Sequence, residues 1–250
     1  MKIVIVGSGW LGKPLAEKMA ENGNEVTTIY RQNKPEFHSR ISTIQITENG
    51  SVSARLKEAD YVVFCFPPPK EGKSHADSCI ELARCCQANC RFVFTSTTGV
   101  YPNENKSFDE TAILDASNKH VITEQKLQQE FGERLSIVRL AGLVGEGRFP
   151  VRMMSTSGKK YNYNEYCNLI HRDDAVGFLS FLIQHQLEVG IVNACAPIHP
   201  LKGEYYPEMA KYLKVSVPEF EKGPNGKLIQ SDLSISIGYR YLLPDPFHFF

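Results

Sequence analysis

The sequence predicts an α/β protein: a doubly wound parallel sheet with helices on both faces and a small C-terminal lobe. Three observations carry this. Short β-branched runs alternate with amphipathic segments through the first half of the chain. The runs are apolar at successive positions, as strands buried on both faces are. The first run also ends in a glycine-rich turn that opens the first amphipathic segment.

Taken in order, Lys2 to Val6 is the first strand and Trp10 to Glu21 the first helix, with Leu11, Leu15, Met19 and Ala20 turned inward. Glu25 to Tyr30 is the second strand, Ser42 to Thr47 a weaker third, and Ser51 to Glu58 a short helix. Tyr61 to Phe66 is the fourth, stopped by Pro67, Pro68 and Pro69, which have no N–H to give a sheet ladder. The run from Ala76 to Cys90 reads as one helix with Ile80, Leu82, Ala83 and Cys86 on its apolar side. Arg91 to Thr95 is a strand, Lys119 to Phe131 a helix and Leu135 to Leu140 a strand. Beyond Gly147 the pattern loosens, and Arg148 to Cys167 reads as an irregular excursion. A helix from Asp174 to Gln184, a strand from Gly190 to Cys195 and a helix from Tyr205 to Lys214 complete the order. The expected division is a sheet domain over 1–147 and a small lobe over 148–250, with one or more elements returning to the core.

Composition narrows the partners. The 28 basic and 28 acidic residues cancel, whereas a nucleic-acid binder shows a basic excess or stripe. No apolar run reaches the length of a bilayer span. The opening MKIVIVGSGWLG has one lysine and then a glycine turn, unlike a signal peptide. A cytoplasmic location is expected, without nucleic acid or membrane. Seven cysteines are an odd number for a disulfide framework. Cys79, Cys85, Cys86 and Cys90 lack a Cys-x-x-Cys pair and a second cluster, so they read as small buried hydrophobes and no metal is expected.

IVGSGWLG places Gly7, Gly9 and Gly12 in the G-x-G-x-x-G spacing, between the first strand and the first helix. There the first glycine makes a tight turn and the second lets backbone approach a pyrophosphate. The third packs helix on strand, and the helix N-terminus faces the phosphates. The spacing predicts a Rossmann-type dinucleotide site rather than a turn needed only for packing, with Gly7, Ser8, Gly9, Trp10, Leu11 and Gly12 as its candidate contacts. At the end of the second strand stand Tyr30 and Arg31, with no Asp or Glu to hold ribose hydroxyls. The cation suits the extra phosphate of NADP, with NAD as the alternative. Phe66 and Pro67 are expected to pass the dinucleotide through van der Waals contact and carbonyls, since three prolines remove donors.

Phe94 to Pro102, FTSTTGVYP, delivers Thr95, Ser96, Thr97 and Thr98 straight off a buried run. Together with IVGSGWLG this stretch resembles the short-chain dehydrogenase/reductases, in the NAD-dependent epimerase/dehydratase branch. RLAGLVGEGR (Arg139 to Arg148), NLIHRDDAVGFL (Asn168 to Leu179) and GYRYLLPDP (Gly238 to Pro246) resemble later motifs of that branch in the same order. The resemblance covers nearly the whole chain and looks closest to a small, atypical subgroup. It implies that Thr97, four residues before Tyr101, helps hold a substrate oxygen, and that Ser96 lies beside the cofactor. Arg139 to Arg148 would pass the nicotinamide.

The family's Tyr-x-x-x-Lys does not carry over. Between Tyr101 and Tyr161 there is no tyrosine. An ungapped count from Tyr101 puts Ile122 at the Tyr position and Lys126 at the Lys position, and a small shift offers His120. Tyr30 and Lys34 meet the spacing only by coincidence, at the adenosine end. The catalytic candidates are therefore Thr97, Tyr101 as a substitute acid, and Lys126 on the ribose. His171 and Asp174 suit capping or fold stabilisation better than acid–base work. At the carboxyl edge of the sheet, Thr97, Tyr101 and Leu143 meet the excursion, whose Arg148, Arg152, Lys159 and Lys160, with Tyr161, Tyr163 and Tyr166, suit either an anionic or sugar-nucleotide substrate or a solvated flap. Two functions follow. One is an NAD(P)-dependent oxidoreductase or epimerase/dehydratase-like enzyme on a small carbonyl, hydroxyl or sugar-type substrate, with a homodimer allowed for. The other is an NAD(P)-binding redox sensor or regulator without turnover.

Overall fold

The computed structural model describes residues 1–37, 41–69 and 71–250. The elements run β1 (Lys2–Val6), α1 (Gly12–Glu21), β2 (Glu25–Tyr30), β3 (Ser42–Gln45), α2 (Asn49–Lys57), β4 (Tyr61–Phe64) and α3 (His75–Ala83). They continue through β5 (Arg91–Thr97), β6 (Ser107–Phe108), α4 (Lys119–Phe131), β7 (Leu135–Leu140), β8 (Gly142–Val144), α5 (Pro150–Met154) and β9 (Lys160–Asn162). The chain closes with β10 (Leu169–His171), α6 (Arg172–Gln184), β11 (Ile191–Ala194), α7 (Lys202–Tyr212), β12 (Glu219–Glu221), β13 (Leu228–Ile229) and α8 (Asp232–Ser236).

Two compact units are formed. The first takes Met1–Ser96, Ala116–Val138 and Val176–Val192; the second takes Thr97–Asp115, Arg139–Ala175 and Asn193–Phe250. The central sheet has, among the described residues, seven parallel strands in the order β11-β7-β5-β4-β1-β2-β3. The doubly wound expectation is met, with the strand order reversing between β1 and β4.

Packing explains why these runs are strands. Val4, Val6, Val62, Phe64, Phe92 and Phe94 enter one continuous core with Leu56, Ile80, Leu127 and Phe131. The alternate residues Ile3, Ile5, Val63 and Val93 are buried as well, so both faces are covered and each such side chain contributes about 1.5–3 kcal/mol. Phe92 stacks between Phe64 and Phe131 at ring-centroid distances of 6.1 and 4.3 Å. Val6 pairs with Ile29 on one side and Phe64 on the other. Phe64 in turn pairs with Phe94. This register brings the carboxyl ends of β2, β1 and β4 level, and β5 runs on past them to Thr97.

Three expectations on extent are corrected. The cysteine segment is not one helix: α3 stops at Ala83, and Cys85 and Cys86 close tight turns by bonding to the carbonyls of Leu82 and Ala83. The polar Gln87 and Asn89 then turn the chain back into β5. β4 ends at Phe64, before Phe66, and the excursion after Gly147 contains α5 and β9. Proline at the first position of α5 has a preset φ and no N–H to lose, which starts that helix.

In the second unit three parallel pairs, β8 with β10, β9 with β12 and β6 with β13, surround a core built on Tyr205, Tyr206, Met209 and Leu169.

Candidate functional site

The glycine turn is built so that each glycine does a different job. Gly7 has φ +97°, and a Cβ there would lie 2.9 Å from the Cys65 carbonyl. At Gly12 a Cβ would fall 1.9 Å from the Gly7 carbonyl oxygen. Both are therefore closed by this chain's own backbone. Gly9 is different: a Cβ would project into open space, so no contact of the fold requires glycine there. Beside it, the buried hydroxyl of Ser8 has no hydrogen-bond partner. Helix α1 starts at Gly12 with no side-chain cap at Leu11, and its Lys13 N–H bonds the Gly9 carbonyl at 2.9 Å, so the positive end of the helix lies at the same turn. A half-buried orphan hydroxyl, an open glycine and an uncapped helix end fit the pyrophosphate of a dinucleotide.

At the end of β2, Tyr30 is half-buried and Arg31 is exposed. The Gln45 side chain donates to the Arg31 carbonyl at 3.2 Å, and Ile46 N–H donates to that of Tyr30. Phe66 is held by rings, edge-on to His75 at 4.9 Å and to Phe64 at 6.2 Å. His75 meets Phe94 at 5.1 Å on its other side. The imidazole is buried, and burial pushes its pKa down to about 4, so it is neutral near pH 7. Pro67 and Pro68 are exposed.

At the end of β5, Thr95 Oγ1 donates to the Phe64 carbonyl at 2.9 Å and Ser96 Oγ donates to Glu124 Oε1 at 2.5 Å. Glu124 is only 2% exposed. His120 lies one turn earlier on the same face of α4, with its N–H bonded to the capping Asn118 side chain at 2.9 Å. Burial lowers the His120 pKa, the Lys119 charge lowers it further, and Glu124 opposes both. Lys126 points elsewhere. Its Nζ lies 2.5 Å from Asp77 Oδ1, with both side chains about half exposed. Ile122 is 50% exposed. The two positions reached by ungapped counting thus sit on the outer face of α4.

The second unit is described by itself. Thr97 is half-buried and its Oγ1 accepts from Gly99 N–H at 3.0 Å. Tyr101 is 2% exposed. Its hydroxyl donates to Asn193 Oδ1 and accepts from Arg139, each at 2.8 Å. Desolvation raises its pKa against the Arg139 charge. The Arg139 guanidinium also sits 5.1 Å from the Tyr101 ring, and Asn193 N–H donates to Glu110 at 2.6 Å.

The excursion after Gly147 holds a feature that counting cations and aromatics missed. Asn162, Asn164 and Asn168 donate to the carbonyls of Pro224, Gly223 and Lys227, at 2.7, 2.5 and 2.9 Å. The recurring asparagines of NYNEYCN were the available signal. Lys227 Nζ in turn donates to the carbonyls of Thr98 and Tyr101, at 3.1 and 2.8 Å, and Lys202 pairs with Glu165. Tyr161, Tyr163, Tyr166 and Leu143 are half-buried, with Tyr163 lying against Gly203; Arg148, Arg152, Lys159 and Lys160 are exposed. The His171 ring lies against Gly145, where a Cβ would come 2.6 Å from Nε2. Asp174 is fully buried and accepts from Leu242 N, Leu243 N and the Tyr239 hydroxyl at 2.7, 2.9 and 3.0 Å. Among the described residues no His, Cys, Asp and Glu side chains group as metal ligands, and no helix is long and apolar enough to cross a membrane.

Residues 3–195 match the model of the NAD dependent epimerase/dehydratase family. The chain is 31% identical to Protein YeeZ of Escherichia coli strain K12, over 98% of this chain and 97% of that one. The fold is similar to that of human epimerase family protein SDR39U1 (isoform 2) with NADPH, at TM-score 0.74 and 16% identity over 98% and 96% of the two chains. It is also similar to UDP-glucuronic acid 4-epimerase from Bacillus cereus in complex with NAD, at TM-score 0.78 and 15% identity over 100% and 97%. The chain belongs to the NAD-dependent epimerase/dehydratase family.

Proposed function

We propose that this family member binds a nicotinamide dinucleotide on its first unit and acts as an oxidoreductase or epimerase/dehydratase-like enzyme on a small carbonyl, hydroxyl or sugar-type substrate. The observation that carries the reading is the turn at Gly7 to Gly12, whose Ser8 hydroxyl is buried without a partner beside the open Gly9. Bound there, the dinucleotide supplies a hydride donor or acceptor. The B. cereus enzyme carries NAD and the human protein NADPH, and exposed Arg31 at the end of β2 favours NADP in this chain. Tyr30, Phe66, Pro67 and Ser96 line the remainder of the cofactor's path. Thr97 holds a substrate oxygen. The two bonds of the Tyr101 hydroxyl support a positioning role for it, and the Asp77 partner of Lys126 supports a surface role. A cytoplasmic location and a small-molecule partner go with this reading.

One observation favours a second reading, a redox-sensing protein without turnover: the chain has no tyrosine between Tyr101 and Tyr161. Cofactor fluorescence titrations with NADPH and NADH, on the wild type and Arg31→Ala, test the first reading. NADPH affinity falling about tenfold in the variant, with NADH unchanged, supports it. Binding of neither dinucleotide sinks both readings. Catalytic consumption of NADPH by a panel of aldehydes and ketones removes the sensor as the sole role.

A further inference from the structure

We propose that His120, one helical turn before the Glu124 that binds Ser96 at the carboxyl end of β5, is the residue that exchanges a proton with the substrate oxygen at the nicotinamide end of the site. This rests on the dinucleotide reading above. The face of α4 decides it. His120 and Glu124 are one helical turn apart and share a face, and the 2.5 Å bond from Ser96 fixes that face toward β5. Ile122 and Lys126 are carried to the outside by the same rotation.

The surroundings suit a neutral imidazole. Burial, Lys119 and the positive end of α4 disfavour its cation, Glu124 favours it, and His75 reaches it from α3. Asp77, the carboxylate on α3, is taken up by Lys126 and Ser74. A neutral ring accepts a proton at pH 7. In the oxidative direction the substrate O–H bond breaks and an imidazole N–H bond forms. The hydride on the same carbon leaves for the oxidised nicotinamide, giving the carbonyl, and His120 returns its proton to water through its half-exposed edge.

The test needs no substrate. The oxidised nicotinamide ring is a cation and the reduced ring is neutral, so a protonated His120 nearby weakens NADP+ relative to NADPH. The affinity ratio is measured by titration at pH 8 and pH 5.5, in the wild type and in His120→Gln. Protonation of the cofactor's own phosphate affects both forms alike and cancels. The wild-type ratio is expected to shift about fivefold against NADP+ on acidification, and to stay flat in the variant. By linkage, the His120 imidazole resonance in the wild type then titrates at least about 0.7 unit lower with NADP+ bound than with NADPH. A flat wild-type ratio, or a shift retained in His120→Gln, overturns the proposal while leaving the dinucleotide reading intact. Absence of binding by either form overturns that reading and the proposal with it.

Discussion

The Lys126 ammonium lies 2.5 Å from the Asp77 carboxylate, and this contact between α4 and α3 marks the outward side of α4. On the inward side, Val121, Glu124, Leu127 and Phe131 are buried. Helical geometry leaves no freedom between the two. With Lys126 outside, Glu124 two residues earlier must lie on the opposite face, and the residue one turn before it is His120. The polar group that this helix offers to the end of β5 is thus a carboxylate with an imidazole one turn before it.

Lys126→Ala tests that rotation. The pair is about half exposed on both sides, where solvent screening leaves an ion pair little net effect on stability. The urea unfolding midpoint is expected to stay essentially unchanged, and NADPH affinity to stay within about twofold. A tenfold loss of affinity would place Lys126 on the cofactor instead.

The three glycines are expected to separate in mutagenesis. Gly12→Ala drives a methyl to 1.9 Å from the Gly7 carbonyl oxygen, and Gly7→Ala adds a clash with Cys65 to a φ of +97°. Each should cost about 1–3 kcal/mol or more in thermal or urea unfolding. Gly9→Ala meets nothing in the protein, so stability should hold while dinucleotide affinity drops at least about tenfold, read by fluorescence titration. Equal loss of stability at all three positions would make the turn a packing device only.

The sheet was legible because its strands are buried on both faces, and Ile3, Ile5, Val63 and Phe92 announce that by composition alone. Leu135–Leu140 was readable to the residue for the same reason, and Lys119–Phe131 by the helical spacing of Val121, Leu127 and Phe131. The excursion was not legible, because α5 spans only Pro150–Met154 and β9 only Lys160–Asn162, too short to show a period. The stretch from β9 to β10 is held by asparagine bonds to carbonyls about sixty residues later, and no local pattern encodes such a partner. The helix α4 was found, but which of its residues faces β5 was not. An ungapped count from Tyr101 ignores the irregular stretch before Lys119, and a slip of two residues exchanges an inward position for an outward one.

Asp174 is expected to be a stability residue. Its two oxygens accept from Leu242 N, Leu243 N and the Tyr239 hydroxyl, pinning the segment Tyr239 to Leu243 to the start of α6. Asp174→Asn puts an NH2 against at least one N–H that needs an acceptor, leaving a buried donor unsatisfied. Unfolding free energy should fall by about 1–3 kcal/mol. Increased amide exchange should appear first at Leu242 and Leu243. A catalytic role would instead show as lost turnover at unchanged melting temperature.

His75 gives the fold an acid sensitivity whose sign can be worked out. Burial between Phe66 and Phe94 holds its pKa at about 4 in the folded protein, against about 6.5 in an unfolded chain. Above pH 6.5 the ring is neutral in both states and contributes no pH dependence. Between pH 6.5 and 4 the unfolded chain takes up a proton that the folded one refuses, so stability falls as pH falls. With partial solvent access discounted, the loss is about 2 kcal/mol across that window. Replacing the ring by His75→Phe keeps the edge-on packing against Phe66 and Phe94 and removes the titration. The variant's unfolding midpoint in urea should therefore be flatter than the wild type's between pH 6.5 and 4. If both proteins lose stability in parallel over that range, other groups set the acid sensitivity and His75 is protonated without cost.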